Sequence, residues 1–374
     1  MCSTGYNGIT ANKVGIFQLD QAKALYEFGY DVRIATIDIR SLRRRRHYGS
    51  YCYKLDGITI STSNFPYGRL PFSSLKGIIA QHCARKAYGL ITKDGWKPEI
   101  IHAHFGELAA AFADIAKENS IPFVVTEHSS SIHKDKVEKN IIKTAKKAYQ
   151  VADQLIAVSE SLANSMYKVT GHRAMVIPNI VDTKIFSIQK RKEQAHKFTF
   201  VSAGHLELIK GMDILLKAYK KCKYVDTELV ILGDGSERNK LKSLAKELNL
   251  ESRVFFKGEY IRQEFQNELE NADCFVLASR GETFGVVYIE AMAAGVPVIG
   301  TLCGGPNDII IPEVGLLVPP ENIDSLSSAM DYMYKHKNDY DSRFISNYSK
   351  SKYGKKEIVK RLQDIYKKVI KKNE

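Results

Sequence analysis

Short apolar runs alternate with amphipathic stretches along the whole chain, and this alternation is the pattern of βα units built on parallel sheets. Candidate strands lie at 31–37, 100–104, 122–126, 154–158 and 174–177, and again at 198–203, 228–232, 254–256, 274–277 and 297–300. Two sets of five predict two doubly wound α/β domains. The length agrees, since 374 residues at roughly 100–200 per domain make two. Pro178-Asn179 and the charged, weakly apolar run 189–197 mark the joint, which sets the domains at 1–187 and 188–350. In the remaining 351–374, Ile358, Val359, Leu362, Ile365, Tyr366, Val369 and Ile370 share one helical face. This helix is expected to cross back and pack on the first domain. A doubly wound domain normally opens with a buried strand before its first glycine loop. Here only Met1-Cys2 precede Ser3-Thr4-Gly5, so the first strand is expected to be truncated or missing.

Charge narrows the partners. The 55 Lys and Arg against 42 Asp and Glu give +13, of which residues 1–190 carry +10 and residues 350–374 carry +7, leaving −4 between them. A field so placed favours an anionic partner. The densest clusters are Arg43, Arg44, Arg45 and Arg46, and the six lysines from Lys134 to Lys147 on an amphipathic stretch with Ile141 and Ile142. Both suit an anionic membrane surface. Nucleic acid is not expected, because no recognition motif or aromatic stacking platform accompanies the charge. The six cysteines, at 2, 52, 83, 222, 274 and 303, have no Cys-x-x-Cys or Cys/His spacing that builds a zinc site. No secretory pattern opens the chain, and no window approaches about 18 uninterrupted apolar residues. The expectation is a cytoplasmic protein, peripheral at the inner face of the membrane.

The most informative segment runs from Cys274 to Gly305. A buried strand leads into the polar turn Ser279-Arg280-Gly281-Glu282-Thr283-Phe284-Gly285 and then into a helix from about Val286 to Ala294. Ligands of such folds bind outside the carboxyl ends of strands, where the next helix offers unpaired N–H groups that suit a diphosphate. Glu282 and Glu290 flank that anion site. Carboxylates beside a diphosphate would repel it, so they fit the hydroxyls of a ribose or a sugar ring. The plainer alternative makes Glu282 a helix-start acid and Glu290 a solvated one. After the strand at 198–203 come Gly204, His205 and Lys210-Gly211, in a loop ending at Asp213, a good helix cap. Lys210 could reach phosphate oxygens or be an ordinary surface lysine. Gly233-Asp234-Gly235 resembles the start of a dinucleotide fingerprint, but Arg238 stands where a third glycine would be. In the first half His102, His104 and His128 end two candidate strands and could contact a ligand or be satisfied structural residues. His102 and His104 are read as lying on opposite faces of their strand, which speaks against joint metal ligation.

With these residues in view, the second half resembles the family 4 glycosyltransferases. The resemblance runs from Gly204-His205-Leu206 with Lys210-Gly211, through Gly233-Asp234-Gly235, to Glu282-Thr283-Phe284-Gly285 with Glu290-Ala291-Met292-Ala293, and on to Gly304-Gly305-Pro306. It implies the GT-B fold, two Rossmann-like domains with a cleft between them and a C-terminal helix returning to the first. The implied reaction is retaining transfer of a sugar from a nucleotide-diphosphate donor, with no tightly bound cofactor and no metal. Carried over by position, Glu290 would bind the ribose and Glu282 the transferred sugar near its reacting carbon. The N–H groups of Phe284 and Gly285, with Lys210, would stabilise the leaving diphosphate. His128 would line the sugar pocket, Gly15 would approach the diphosphate, and Gly258 to Ile261, with Tyr260, would border the base. The acceptor implied is lipid-linked or a polysaccharide precursor, in cell-surface polysaccharide synthesis. One departure stands out: where the family commonly has an arginine, this chain has His205, a weaker and pH-dependent cation. An epimerase or phosphorylase of the same fold, and a non-catalytic anion-binding protein, are the alternatives.

Overall fold

The computed structural model describes residues 1–4, 17–39, 47–67, 73–132, 137–189 and 197–373. The chain divides into two compact units. One takes in the described residues up to Asn179 together with those from Ile358 onward, and the other is Ile180–Glu357.

The first unit holds eight strands: β1 (Cys2–Thr4), β2 (Arg33–Asp38), β3 (Gly49–Leu55), β4 (Ile58–Asn64), β5 (Ile101–His104), β6 (Phe123–Glu127), β7 (Gln154–Ala157) and β8 (Met175–Val176). They form one sheet in the order β3-β4-β2-β1-β5-β6-β7-β8, parallel except where β3 runs against β4. The opening strand is therefore present. It is three residues long, and Cys2 pairs with Ala35 of β2 on one side and Ala103 of β5 on the other. Ladders on both sides satisfy its backbone, so a strand this short holds the sheet's centre. Helices α1 (Phe17–Glu27), α2 (Ser73–Ile91), α3 (Gly106–Glu118), α4 (Lys139–Val151) and α5 (Glu160–Thr170) cover the sheet. Local signals set α5. The Ser159 side chain accepts from the Leu162 N–H at 3.1 Å at its start, and Gly171 ends it in the left-handed region.

The expected five strands undercount this sheet because β3 and β4 have no apolar run. They form a hairpin around Asp56-Gly57, both at positive φ (49° and 83°), the two-residue turn whose twist matches paired strands.

The second unit alternates strand and helix until a final helix pair: β9 (Phe198–Ala203), α6 (Met212–Lys221), β10 (Thr227–Leu232), α7 (Arg238–Glu247), β11 (Val254–Gly258), α8 (Arg262–Glu270), β12 (Cys274–Val276), α9 (Val286–Ala293), β13 (Val298–Thr301), α10 (Pro306–Ile309), β14 (Gly315–Val318), α11 (Ile323–Lys335) and α12 (Ser342–Tyr353). Its sheet is parallel, in the order β11-β10-β9-β12-β13-β14. It has six strands against the expected five, because the short Gly315-Leu-Leu-Val run carries no alternation to mark β14. The order reverses between β9 and β12, and a crevice at the carboxyl ends of strands that part in this way is where such sheets take ligands. Within this unit Val181 N–H donates to Tyr353 O, and the Gln266 amide to Ser187 O at 3.0 Å.

The last helix, α13 (Lys355–Asn373), buries Ile358, Val359, Leu362, Ile365, Tyr366 and Val369. Arg361 donates to the Val176 carbonyl at 2.7 Å, so from Ile358 onward the helix belongs to the first unit's core. No helix among the described residues is long and apolar enough to cross a membrane.

Candidate active site

The loops that follow β9, β10 and β11 are stacked on one another by backbone contact. Gly233 N–H donates to Gly258 O at 2.7 Å, and Leu206 N–H to Asp234 O at 3.0 Å. A Cβ on Gly233 would lie 1.9 Å from Gly204 O, and Gly233 sits at φ 139°. The Gly-x-Gly pair thus serves a loop-on-loop approach. His205 is exposed, with Nδ1 3.1 Å from Asp234 O.

Lys210 ends a single 3₁₀ turn, Leu208–Lys210, before α6. Gly211 follows at φ 63°, so close beneath the loop after β12 that a Cβ there would be 1.9 Å from Ala278 O. Asp213 does not cap α6, which begins at Met212 after Gly211. Its carboxylate instead receives both Arg280 Nη groups, at 2.8 and 2.9 Å. Burial disfavours the charged form, but the Arg280 hydrogen bonds and charge outweigh it and hold the Asp213 carboxyl below its ordinary value. Arg280 also donates to Leu208 O at 2.5 Å, and its backbone N–H to Ile209 O at 2.8 Å. One guanidinium therefore ties the Lys210 turn to the turn that carries Glu282.

Glu282 is 8% exposed and lies outside any helix, bridged to Gly304. Its carbonyl accepts from Gly305 N–H at 2.8 Å, and its carboxylate accepts from Ser279 Oγ at 3.1 Å and from Lys210 Nζ. Thr283 and the buried Phe284 and Gly285 carry the chain into α9, whose first N–H groups have no intrahelical partner. Glu290, on α9, is fully buried rather than solvated, and its Oε1 lies 3.4 Å from Nε of the equally sequestered Arg262. Tyr260 stands in the turn between Gly258, which ends β11, and Ile261, which precedes α8. Burial pushes its phenol up, and the charge of Glu290 adds to the shift. The Tyr260 hydroxyl has no hydrogen-bond partner among the described residues although it is buried. The second unit thus gathers Gly204, His205, Lys210, Gly233, Gly258, Tyr260, Ile261, Glu282, Thr283, Phe284 and Gly285 onto the strand ends and loops at the carboxyl edge of one sheet, with Glu290 on the helix that follows.

In the first unit His128 follows β6 and is buried. Phe17 and Phe105 lie against its ring with centroids 4.3 and 5.2 Å away. Glu127 fixes the backbone beneath it: fully buried, it accepts from the N–H groups of Gly106, His128 and Ser129 at 2.8 to 2.9 Å and from the Tyr149 hydroxyl. His102 and His104 do not point to opposite faces. Residues two apart in a strand share a face, and their rings stack with centroids 4.8 Å apart. Burial pushes all three histidines well toward the neutral form, His104 to about 3. No group of three or more metal-ligating side chains occurs among the described residues. Gly15, Arg43 to Arg46, Lys134 and Lys136 lie outside the described residues. Lys139, Lys143, Lys146 and Lys147 lie on α4, and Lys147 pairs with Asp114 at 3.0 Å.

Three residues that hold this chemistry carry no motif of their own. Arg280, Arg262 and Glu127 meet their partners through the fold, and the only local hint is the Glu-His pair at 127–128 at a strand end.

Similarity to known proteins agrees with this architecture. The family description "Glycosyltransferase Family 4" matches residues 14–185, and "Glycosyl transferases group 1" matches residues 183–351. The uncharacterised glycosyltransferase MJ1059 of Methanocaldococcus jannaschii is 27% identical over 263 residues, which span 64% of this chain and 62% of that protein. Two solved structures share the fold. The lipopolysaccharide outer core galactosyltransferase WaaB has a TM-score of 0.72 at 20% identity, covering 98% of both chains. HepE of Anabaena, in complex with UDP-glucose, has a TM-score of 0.72 at 17% identity and likewise covers 98% of both. With the two matches following one another along nearly the whole chain, over two Rossmann-like units, this protein belongs to the family 4 glycosyltransferases of GT-B fold.

Proposed function

We propose that this glycosyltransferase moves a sugar, with retention of anomeric configuration, from a nucleotide-diphosphate sugar to a lipid-linked or polysaccharide-precursor acceptor at the inner face of the membrane. One observation carries the reading: Lys210, Glu282 and the start of α9 meet at the carboxyl edge of the second unit's sheet, with Glu290 buried on the same helix. As the bond between the anomeric carbon and the diphosphate oxygen breaks, its electron pair leaves with the diphosphate. Lys210 and the first N–H groups of α9 offset that charge, the work a metal ion does elsewhere. The acceptor hydroxyl bonds to the anomeric carbon from the face the diphosphate leaves, and its proton passes to a departing phosphate oxygen. Glu282 accepts a hydrogen bond from the sugar, Glu290 from the ribose, and His128 supplies a neutral ring to the sugar. No cofactor or metal is needed for these steps. The donor class is supported by the UDP-glucose held in HepE, and a cell-surface product by the likeness to WaaB, a lipopolysaccharide outer core galactosyltransferase.

The test is a panel of nucleotide sugars with saccharide and polyprenyl-phosphate-linked acceptors. The expected result is a product that keeps the donor's anomeric configuration by NMR, with nucleotide diphosphate released only when acceptor is present. Release without acceptor, or an inverted product, contradicts the reading. Glu290→Gln is expected to raise the donor KM about tenfold or more, because a carboxylate that bonds two hydroxyls is replaced by an amide with one acceptor oxygen. An unchanged KM removes Glu290 from the donor.

The membrane reading rests on charge beside apolar surface. Lys143 and Lys147 border a cavity of about 360 Å³ between α2, α3 and α4, and α2 leaves Leu75 and Ile78 exposed. Basic side chains near a surface are worth about 1 kcal/mol each toward anionic lipid. Replacing Lys143, Lys146 and Lys147 by glutamate is therefore expected to abolish sedimentation with phosphatidylglycerol vesicles. The wild-type chain should sediment with them in low salt and not with phosphatidylcholine vesicles.

A further inference from the structure

We propose that His104 is a positioning residue that sets which ring nitrogen of His128 carries hydrogen, and so whether His128 meets the sugar as a donor or as an acceptor. The inference rests on the reading of His128 as the ring that faces the sugar.

The three histidines are not equivalent. His102 has both nitrogens engaged by its own unit: Nδ1 is 2.6 Å from the Tyr366 hydroxyl and 3.2 Å from the Gln21 amide, and Nε2 is 2.7 Å from Thr126 Oγ1. His104 and His128 instead bond to each other, Nδ1 to Nε2, at 2.9 Å. Their outer nitrogens, His104 Nε2 and His128 Nδ1, are buried and have no hydrogen-bond partner among the described residues. Both rings are kept neutral by burial, to which the charge of the Met1 amino group adds at His104 and that of His104 adds at His128.

A neutral imidazole has one donor nitrogen and one acceptor nitrogen. The shared bond therefore allows two arrangements only. If His104 Nδ1 donates, His128 Nε2 accepts and His128 Nδ1 carries the hydrogen. If His128 Nε2 donates, its Nδ1 is a bare acceptor and the hydrogen appears on His104 Nε2. The two outer nitrogens are always of opposite character. Phe17 and Phe105 against the His128 ring, and the Glu127 carboxylate under its backbone, oppose a ring flip that would uncouple the pair. His102, stacked on His104 and anchored by Tyr366, holds the other end.

The experiment reads the tautomers directly, by long-range 15N–1H correlation spectra of the full-length enzyme between pH 6 and 8. His104 and His128 are expected to show complementary single tautomers. In His104→Phe the His128 signals should move to a mixture or to the opposite tautomer, with kcat falling roughly tenfold or more and the donor KM changing little. An asparagine places its amide where Nδ1 lies and a glutamine where Nε2 lies, so His104→Asn should recover both readouts and His104→Gln neither. An unchanged His128 tautomer in His104→Phe, or equal recovery by asparagine and glutamine, overturns the proposal. His128→Ala separates this from the reading beneath it: undiminished turnover there removes His128 from the sugar, whatever the tautomers show.

Discussion

Lys210→Ala is expected to lower kcat by about a hundred- to a thousandfold, the usual cost of removing one preorganised group that meets developing charge. The ammonium is held in place by its surroundings. Its turn is tied to Arg280 through Leu208 O and Ile209 O, and Gly211 lies against Ala278 O with no room for a side chain. Arg280 is in turn fixed by the two oxygens of Asp213. The lysine thus loses little freedom when the transition state forms. Stability should fall by about 1–3 kcal/mol, because Glu282 keeps its Ser279 bond while losing the stronger charged partner. Pairing the change with Glu282→Gln is expected to restore the melting temperature without restoring turnover. Steady-state kinetics beside thermal melts separate the two effects. A loss of activity smaller than tenfold would remove Lys210 from the diphosphate.

The second unit's fold was legible in sequence because its signals are local. Glu282, Glu290, Lys210 and the glycines sit at fixed offsets from buried runs, and a parallel strand buried on both faces reads as an uninterrupted apolar segment. The first unit's edge was not, because β3 is mostly exposed and β4 alternates Ile with Ser and Thr. Asp56-Gly57 is the local mark the hairpin leaves in the sequence. The histidines were found as residues and misplaced as geometry: period two puts His102 and His104 on one face, and that shared face is what stacks them. Asp213 shows a further limit. A carboxylate at a helix start reads as a cap, but the Arg280 that claims it lies 67 positions away. Arg262 beside Glu290 and Tyr149 beside Glu127 are hidden for the same reason.

The Gly-x-Gly at 233–235 separates a cofactor motif from a packing device, and substitution decides which it is. Gly233→Ala is expected to destabilise the protein by about 3 kcal/mol or more, since overpacking and a side chain at positive φ each cost on this order. The added carbon would be 1.9 Å from the Gly204 carbonyl, and no rotamer relieves a clash between Cβ and backbone. The strain can be relieved only by parting the loops after β9 and β10, which breaks the Gly204 N–H bond to Leu232 O and the Leu206 N–H bond to Asp234 O. His205 would move with them, since its ring nitrogen rests on the same Asp234 carbonyl. Activity should therefore fall even at temperatures where the chain remains folded, and in a particular way. Donor KM should rise through the displaced Gly204–His205 loop, while the rate at saturating donor, which depends on Lys210 and Glu282 behind the separate Arg280 tie, should fall less. Ser236→Ala, a neighbour whose hydroxyl bonds the exposed Glu207 carboxylate at 2.8 Å, is the control and should cost less than about 1 kcal/mol. If Gly233→Ala melts like the wild-type chain, the close approach of the two loops is not what the glycine serves.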